Sequence, residues 1–424
     1  MQNKHKILIV GGGSRENALA WKLAQSPKIK KIFIAPGNPG TAKFGENVNI
    51  EATEVAGLID FAKSNDIYLT VVGPEDPLAL GIVDEFKQNN LRIWGPAKAA
   101  AQIESSKVFS KKLMQDANVP TAKFRNFSDF NEALEYVKQE GAPVVIKASG
   151  LALGKGVTIC QTLEDAENAL RKIMVEKIFG ESGKEVVIEE FLEGTEFSAH
   201  AFSDGKNFQL LPCSQDHKRI GEGNTGPNTG GVGTIAPLLW VTKENMDFIA
   251  EKIVAPVLKT LDKNGSPFVG LLYPGLMMTK DGIKTIEFNS RFGGPECESY
   301  MRILKSDLFD IFEACIRGNL NEIKIEWHDL FACCIILCSE GYPGNYEKGK
   351  EIRGIEEAEK DENIIVFHAG TKVVTNRNLL TNGGRVLGVS ATGESLEISL
   401  ERAYKAISKI SFDGMYYRKD IGKY

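Results

Sequence analysis

Seven cysteines in 424 residues are too few for a disulfide scaffold, and none falls at the spacing of a zinc site. Cys333, Cys334 and Cys338 lie in Leu330-Phe331-Ala332-Cys333-Cys334-Ile335-Ile336-Leu337-Cys338, which reads as a buried strand. Free cysteine behaves mostly as a small core hydrophobe, so a core role is favoured over a vicinal redox or metal pair. An excess of basic charge is also missing. Lys+Arg number 51 against 56 Asp+Glu, a formal net charge of −5, so duplex nucleic acid is not expected as a partner. No apolar run approaches the ~20 residues of a membrane helix, so no membrane partner is expected either. Only Ile7-Leu8-Ile9-Val10 precedes the first glycines, too short for a signal peptide, and a cytoplasmic location is expected. What is present is 42% hydrophobic and 25% charged residues, which excludes a largely disordered chain. The length suggests about three domains, each able to bury its own core.

The first hundred residues alternate apolar runs with amphipathic stretches. Ile7-Leu8-Ile9-Val10, Lys31-Ile32-Phe33-Ile34-Ala35, Leu69-Thr70-Val71-Val72-Gly73 and Leu91-Arg92-Ile93-Trp94-Gly95 read as buried strands, with helices expected at 17–26 and 55–64. This alternation predicts a parallel sheet covered by helices, with ligands at the carboxyl ends of its strands. Gly11-Gly12-Gly13 suggests a dinucleotide turn, but Glu16 stands where the third glycine of the fingerprint belongs. The second strand ends in Ala35-Pro36-Gly37 rather than in an acid for a ribose, so that reading fails. Helical patterns follow at 104–116 and 133–139, then a hairpin-rich region from Pro143. More short strands, a helix at 395–407 and a basic tail end the chain.

Four segments carry candidate chemistry. Val144-Val145-Ile146-Lys147 runs through Ala148-Ser149-Gly150-Leu151-Ala152-Leu153-Gly154-Lys155-Gly156 into Val157-Thr158-Ile159-Cys160. It is not a Walker A loop, because no Ser or Thr follows Lys155 and a strand comes next. A glycine hairpin can still lay backbone N–H groups over phosphates, with lysines adding charge. A surface hairpin with solvated lysines competes, and Lys147 at a strand end shifts the balance. Val186-Val187-Ile188-Glu189-Glu190-Phe191-Leu192 could be an exposed strand end, or a hinge whose backbone reads adenine with a carboxylate available to a ribose. In Glu287-Phe288-Asn289-Ser290-Arg291, alternation puts Glu287, Asn289 and Arg291 on one face with Phe288 opposite. Glu287 and Asn289 offer hard oxygens suited to Mg²⁺ held with phosphates, and Arg291 could clamp a carboxylate. Ser214-Gln215-Asp216-His217-Lys218-Arg219 and Asn224 to Gly231 form a long polar loop of the kind that is functional or disordered; His217 alone reads as structural.

In this order, with Gly226-Pro227-Asn228-Thr229-Gly230-Gly231 and Glu287-Phe288-Asn289-Ser290-Arg291-Phe292-Gly293, the segments resemble the ATP-grasp superfamily. Within it they resemble the glycinamide ribonucleotide synthetases, or phosphoribosylamine–glycine ligases. The likeness covers essentially the whole chain, including Val72-Gly73-Pro74-Glu75, Phe367-His368-Ala369-Gly370-Thr371 and Thr381-Asn382-Gly383-Gly384-Arg385-Val386. It implies α/β and α+β architecture: an ATP-grasp fold with an N-terminal Rossmann-like parallel-sheet domain (1–101), ATP-grasp domains (102–326, lid about 122–192) and a C-terminal β-rich domain (327–424). The implied reaction joins glycine to 5-phosphoribosylamine with ATP as co-substrate and Mg²⁺ or Mn²⁺ as metal, by a monomer or weak dimer. Another ATP-grasp ligase with a different acceptor, or a non-catalytic nucleotide-binding homologue, are the alternatives.

The resemblance implies Arg291 and Lys155 as catalytic residues and Glu287 and Asn289 as metal ligands. ATP would be bound by Lys107, Lys147, Gly150, Gly154, Lys155, Gly156, Glu189, Glu190, Phe191, Leu192 and Glu196. The other substrates would meet Gly13, Asp216, His217, Lys218, Asn228, Thr229, Gly230, Arg291, Pro295 and Glu296. The sequence departs from the family pattern at Gly294 and Ser149 (usually Asp), Leu153 (Ala), Val232 (Met), Ser14 (Gly) and Asn17 (often His). Replacing Gly294 by Asp is expected to be tolerated unless the glycine holds a positive φ.

Overall fold

The computed structural model describes residues 4–152, 156–374 and 378–423. Five strands, β1 His5–Gly11, β2 Ile29–Pro36, β3 Glu46–Asn47, β4 Leu69–Val72 and β5 Ile93–Trp94, form a parallel sheet in the order 3-2-1-4-5. Residues Ile7 to Val10 are wholly buried because the sheet is covered on both faces. Ile7 and Ile9 join a core that includes Trp94, Phe292 and Tyr300, whereas Leu8 and Val10 join one built on Leu58, Ile82 and Phe86. One face of the sheet therefore packs on the rest of the chain.

The helix expected at 55–64 forms there, as Val55–Ser64. The one expected at 17–26 begins earlier, as Ser14–Leu23, because Glu16 reaches back to accept the Gly13 N–H at 2.6 Å. A side chain at Gly73 would collide with that carboxylate, 2.0 Å from Oε1. Glu16 thus fills the turn where a dinucleotide phosphate would sit. The single run expected at 104–116 is two helices, Lys98–Ser105 and Lys107–Asp116. Ser106 is extended between them, and its side chain accepts from the Phe109 N–H at 3.2 Å.

A second sheet holds β6 Phe124–Phe127, β7 Val144–Ala148, β8 Val157–Cys160 and β9 Val186–Glu190 in the antiparallel order 6-9-7-8. Its own small core includes Ile146, Ile188, Val137 and Leu170. A third sheet holds β10 Thr195–Ser198, β11 Ala201–Asp204 and β12 Phe208–Leu210. After β13 Gln215–Asp216, the hairpin β14 Arg219–Gly221 and β15 Thr225–Asn228, and β16 Gly233–Ala236, two long strands join that third sheet: β17 Val269–Thr279 and β18 Gly282–Asn289.

The last sheet contains β19 Phe331–Ser339, β20 Ile364–His368, β23 Arg385–Gly393 and β24 Met415–Tyr416, past the small hairpin β21 Thr371–Val373 and β22 Leu379–Thr381. It also recruits β13 and β16, so the sheet crosses the expected boundary at 326. All seven cysteines are buried and free, as the core reading required. The tail is not a solvated basic run: Arg418 is fully buried and pairs with Asp420 at 2.7 Å. No helix among the described residues is long and apolar enough to cross a membrane.

Candidate active site

A cavity of about 650 Å³ opens beyond the carboxyl ends of β1 and β4, between the β6–β9 sheet and the β17–β18 hairpin. Gly13 and Glu75 line its N-terminal side, and Tyr342 and Tyr346, from the segment after β19, close it with Arg385 at the start of β23.

One half is apolar with a cationic floor. Val145, Ile159, Phe191, Leu192, Met277 and Ile286 give walls suited to a flat aromatic ring. Lys107, Lys147, Lys111 and Gly156 line the same half, and Glu190 and Glu196 its rim. Lys147 Nζ lies 2.9 Å from Glu189 Oε1 and donates to the Ile286 carbonyl at 3.2 Å; Lys111 Nζ lies 3.1 Å from Glu189 Oε2. All three charged groups are buried, so Glu189 is committed to fixing two ammonium groups and is not free for a ribose. Burial pulls Lys111 down to about 8 in spite of Glu189, and lowers Lys107 as well. Glu190 pairs outward with Lys284 at 3.1 Å.

The second element is the face of β18. Glu287, Asn289 and Arg291 all reach the cavity, as alternation predicts. Ile286 and Phe288 also line it; the register with β17 slips between Gly275↔Glu287 and Leu276↔Thr285, leaving Ile286 as an extra residue. Burial alone would raise the Glu287 carboxyl, but Lys218, Lys147, Lys107 and Arg291 hold it down at about 2. An ionised carboxylate beside an amide oxygen suits a divalent cation. The described residues contain no cluster of three or more acidic, His or Cys ligands, and the surroundings are cationic. The donor set therefore fits a metal that brings phosphate oxygens with it, and does not fit a site made by protein alone.

Arg291 is already engaged. Its Nη2 lies 2.6 Å from Glu104 and its Nε 3.1 Å from Glu75, and Nη2 donates to Asn289 Oδ1 at 3.3 Å. Glu104 in turn accepts from the Ser290 N–H at 2.8 Å. Burial acts against the charge of Glu75, yet Arg291 and Arg15 hold it at about 2. The open fork expected at Arg291 is a closed network that orients Asn289.

The third part is polar. Asp216, Lys218, Asn228, Thr229, Gly230 and Glu296 line it with Tyr273 and Gly294. Glu296 accepts from Tyr273 and from Ser198 at 3.3 Å. Burial, then Glu296, push Asp216 well above the usual carboxylate range. Lys218 lies 3.6 Å from Glu287 and 3.8 Å from Glu196, joining this part to the β18 face.

Three expected residues do not line the cavity. His217 is buried with Nδ1 donating to the Gly233 carbonyl at 3.0 Å and Nε2 accepting from the Gly422 N–H at 3.1 Å. Both ring nitrogens are thus used for packing, and burial pulls its pKa to about 4. Pro295 caps the helix Glu296–Ile303 behind the wall, and the Gly150 N–H is taken by the Ser182 carbonyl at 3.0 Å. Gly154 and Lys155 lie outside the described residues. Sequence reasoning did not assign Arg15, Glu75, Glu104, Lys111, Tyr273, Tyr342 or Arg385. Glu75, at the start of the helix that follows β4, carried a local signal, and Arg385 lay within one of the family-like strings without an assigned role.

A nucleotide-sized cleft between two antiparallel sheets, with lysines on one wall and hard oxygens on the other, defines an ATP-grasp protein. The chain belongs to the phosphoribosylglycinamide synthetase family. Its N domain matches residues 5–104, its ATP-grasp (A) domain 105–297 and its C domain 332–424. The phosphoribosylamine–glycine ligase of Caldanaerobacter subterraneus is 47% identical over 416 residues, covering 98% of this chain and 99% of that one. That of Clostridium acetobutylicum is 48% identical over 420 residues, 99% of each. The crystal structure of the Thermotoga maritima phosphoribosylamine–glycine ligase superposes with a TM-score of 0.86 at 34% identity, covering 98% of this chain and 99% of that one. Biotin carboxylase from Campylobacter jejuni shares the fold at a TM-score of 0.74 and 15% identity, covering 99% and 94%.

Proposed function

We propose that this chain is an ATP-dependent carbon–nitrogen ligase that joins glycine to 5-phosphoribosylamine, giving glycinamide ribonucleotide, ADP and phosphate. The observation that carries the reading is the continuity of one cavity from the lysine-floored apolar half, through Glu287 and Asn289, to the polar end. The full-length likeness to phosphoribosylamine–glycine ligases supports the choice of substrates.

A carboxylate resists attack by an amine because its oxygen leaves poorly; phosphorylation turns that oxygen into phosphate, a good leaving group. Lys147 and Lys107 neutralise the triphosphate, Lys147 held in place by Glu189. The apolar half, with Phe191 and Leu192, takes the adenine. Glu287 and Asn289 hold Mg²⁺ or Mn²⁺, whose contribution when bound is to offset charge on the phosphates as phosphoryl transfer proceeds. Lys218 bridges this region to the polar end, where Asp216, Asn228, Thr229, Gly230 and Glu296 receive the amine acceptor. Arg291 acts by fixing Asn289 and screening Glu75 and Glu104. The β7–β8 hairpin, within a lid of about 122–192, excludes water from the acyl phosphate. Units of 1–101, 102–326 and 327–424, a cytoplasmic setting and a monomer or weak dimer complete the reading. Phosphate release from ATP with each substrate omitted in turn tests it. Release is expected only with glycine, phosphoribosylamine and divalent metal together, and release that ignores either substrate contradicts the reading.

A further inference from the structure

Behind the polar end of the cavity lies a carboxylate that the mechanism does not use. Glu298 is fully buried, and neither carboxylate oxygen has a hydrogen-bond partner of good geometry among the described residues. Burial pushes it up to about 7, against the Ser14 hydroxyl and the Arg385 guanidinium, which favour its charge. A polar group so placed is costly unless its neighbours use it.

The two glycines that precede it are not equivalent. A Cβ at Gly293 would lie 2.3 Å from Glu296 Oε2, so any side chain there must displace the buried Glu296 carboxylate. A Cβ at Gly294 would meet nothing nearer than Arg15 Cβ at 3.8 Å and the two Glu298 carboxylate oxygens at 3.9 Å. Those are ordinary contacts, and Gly294 is not among the positive-φ glycines. Neither space nor backbone demands a glycine; what it leaves is room in front of Glu298. Gly294, Ser14 and Arg15 line the cavity, and Arg385 donates to the Gly294 carbonyl at 2.7 Å as well as to that of Gly230. Glu298 therefore stands where the first turn of the N-terminal helix, the Gly293–Gly294 turn and the C-terminal Arg385 meet.

We propose that positions 294 and 298 share one carboxylate: Glu298 supplies, from behind the wall, the single acidic group at the acceptor end, acting on the field there rather than through a direct bond, and Gly294 keeps a second one away. The role is one of positioning, and it rests on the reading that this end takes the amine acceptor. An aspartate at 294 would start from a Cβ 3.9 Å from both Glu298 oxygens, and two carboxylates crowded together in a buried site cannot both ionise. Gly294→Asp, which the sequence alone leads one to expect to be tolerated at a glycine without positive φ, is then tolerated only when residue 298 is neutral.

The test is a double-mutant cycle in the full chain: Glu298→Gln, Gly294→Asp and the two together, with kcat/KM for phosphoribosylamine, KM for ATP and thermal melting measured for each. Each single change is expected to lower kcat/KM for the acceptor about tenfold while leaving the KM for ATP within about twofold, and the double variant to return within about threefold of the parent. A neutral Glu298→Gln, losses that multiply in the double variant, or a recovery of melting temperature without recovery of kcat/KM overturns the proposal. If the parent shows no turnover with glycine and phosphoribosylamine, the functional reading fails instead. The melting temperatures of the four proteins then decide the coupling on their own, and additive shifts overturn it.

Discussion

At the scale of single residues, the charged groups of the site work in buried sets. Arg291 serves Glu104 and Glu75 with different nitrogens, at 2.6 and 3.1 Å. A lysine presents one point charge and cannot hold both, so Arg291→Lys strips Glu104 or the half-buried Glu75 of its close cationic partner. We expect at least a tenfold loss of kcat/KM, together with destabilisation of about 2 kcal/mol read by thermal melting. Near-neutral behaviour in both would dismantle the network described. Lys147→Ala should raise the KM for ATP and lower stability, because Glu189 keeps only Lys111 at 3.1 Å. Adding Glu189→Gln should recover stability without recovering ATP binding. If it restores both, Lys147 serves packing rather than phosphate. Sequence alternation placed Arg291 beside Glu287 and Asn289. Its acidic partners were not legible, because Glu75 lies 216 residues earlier in the chain.

At the scale of elements, regular spacing was readable and local chemistry was not. The period-two face of β18 was legible and carries the metal assignment. Glu287→Gln keeps the strand and removes the charge, so turnover should fall at least about 100-fold at limiting Mg²⁺ in a protein that still folds, its melting temperature lowered by the loss of a counter-charge to Lys218 and its neighbours. Near-normal activity under those conditions would move the metal elsewhere. The bulge that brings Ile286 to the cavity was hidden, because register depends on the partner strand β17. The break at Ser106 was hidden for a similar reason. The helical pattern of Glu104, Lys107, Leu113 and Met114 runs across it, and the capping bond to Phe109 together with the contacts of the Lys107 and Val108 N–H groups with Ser149, at 2.7 and 3.3 Å, end one helix and start the next.

At the scale of the molecule, the three segments are less separable than the sequence suggests. β16 pairs with β19 from Gly233↔Ile335 to Ala236↔Ala332, joining the middle and the end of the chain in one sheet. Ile9, Phe202, Phe292, Tyr300 and Phe367, drawn from all three segments, share one core. No local pattern reports such pairing, since its partners, such as Gly233 and Ile335, lie about a hundred residues apart in the chain. A fragment of residues 1–326 is therefore expected to lack a cooperative melting transition and to bind an apolar dye. A fragment that melts cooperatively would contradict the shared-sheet architecture.

The central claim is that this cavity activates glycine through its carboxylate for capture by an amine on the polar side. Glycine labelled with ¹⁸O in its carboxyl group tests it most directly, with ATP, Mg²⁺ and phosphoribosylamine supplied. The account predicts one ¹⁸O in each phosphate released, matched by formation of glycinamide ribonucleotide. Unlabelled phosphate, or labelled phosphate without that product, would contradict it.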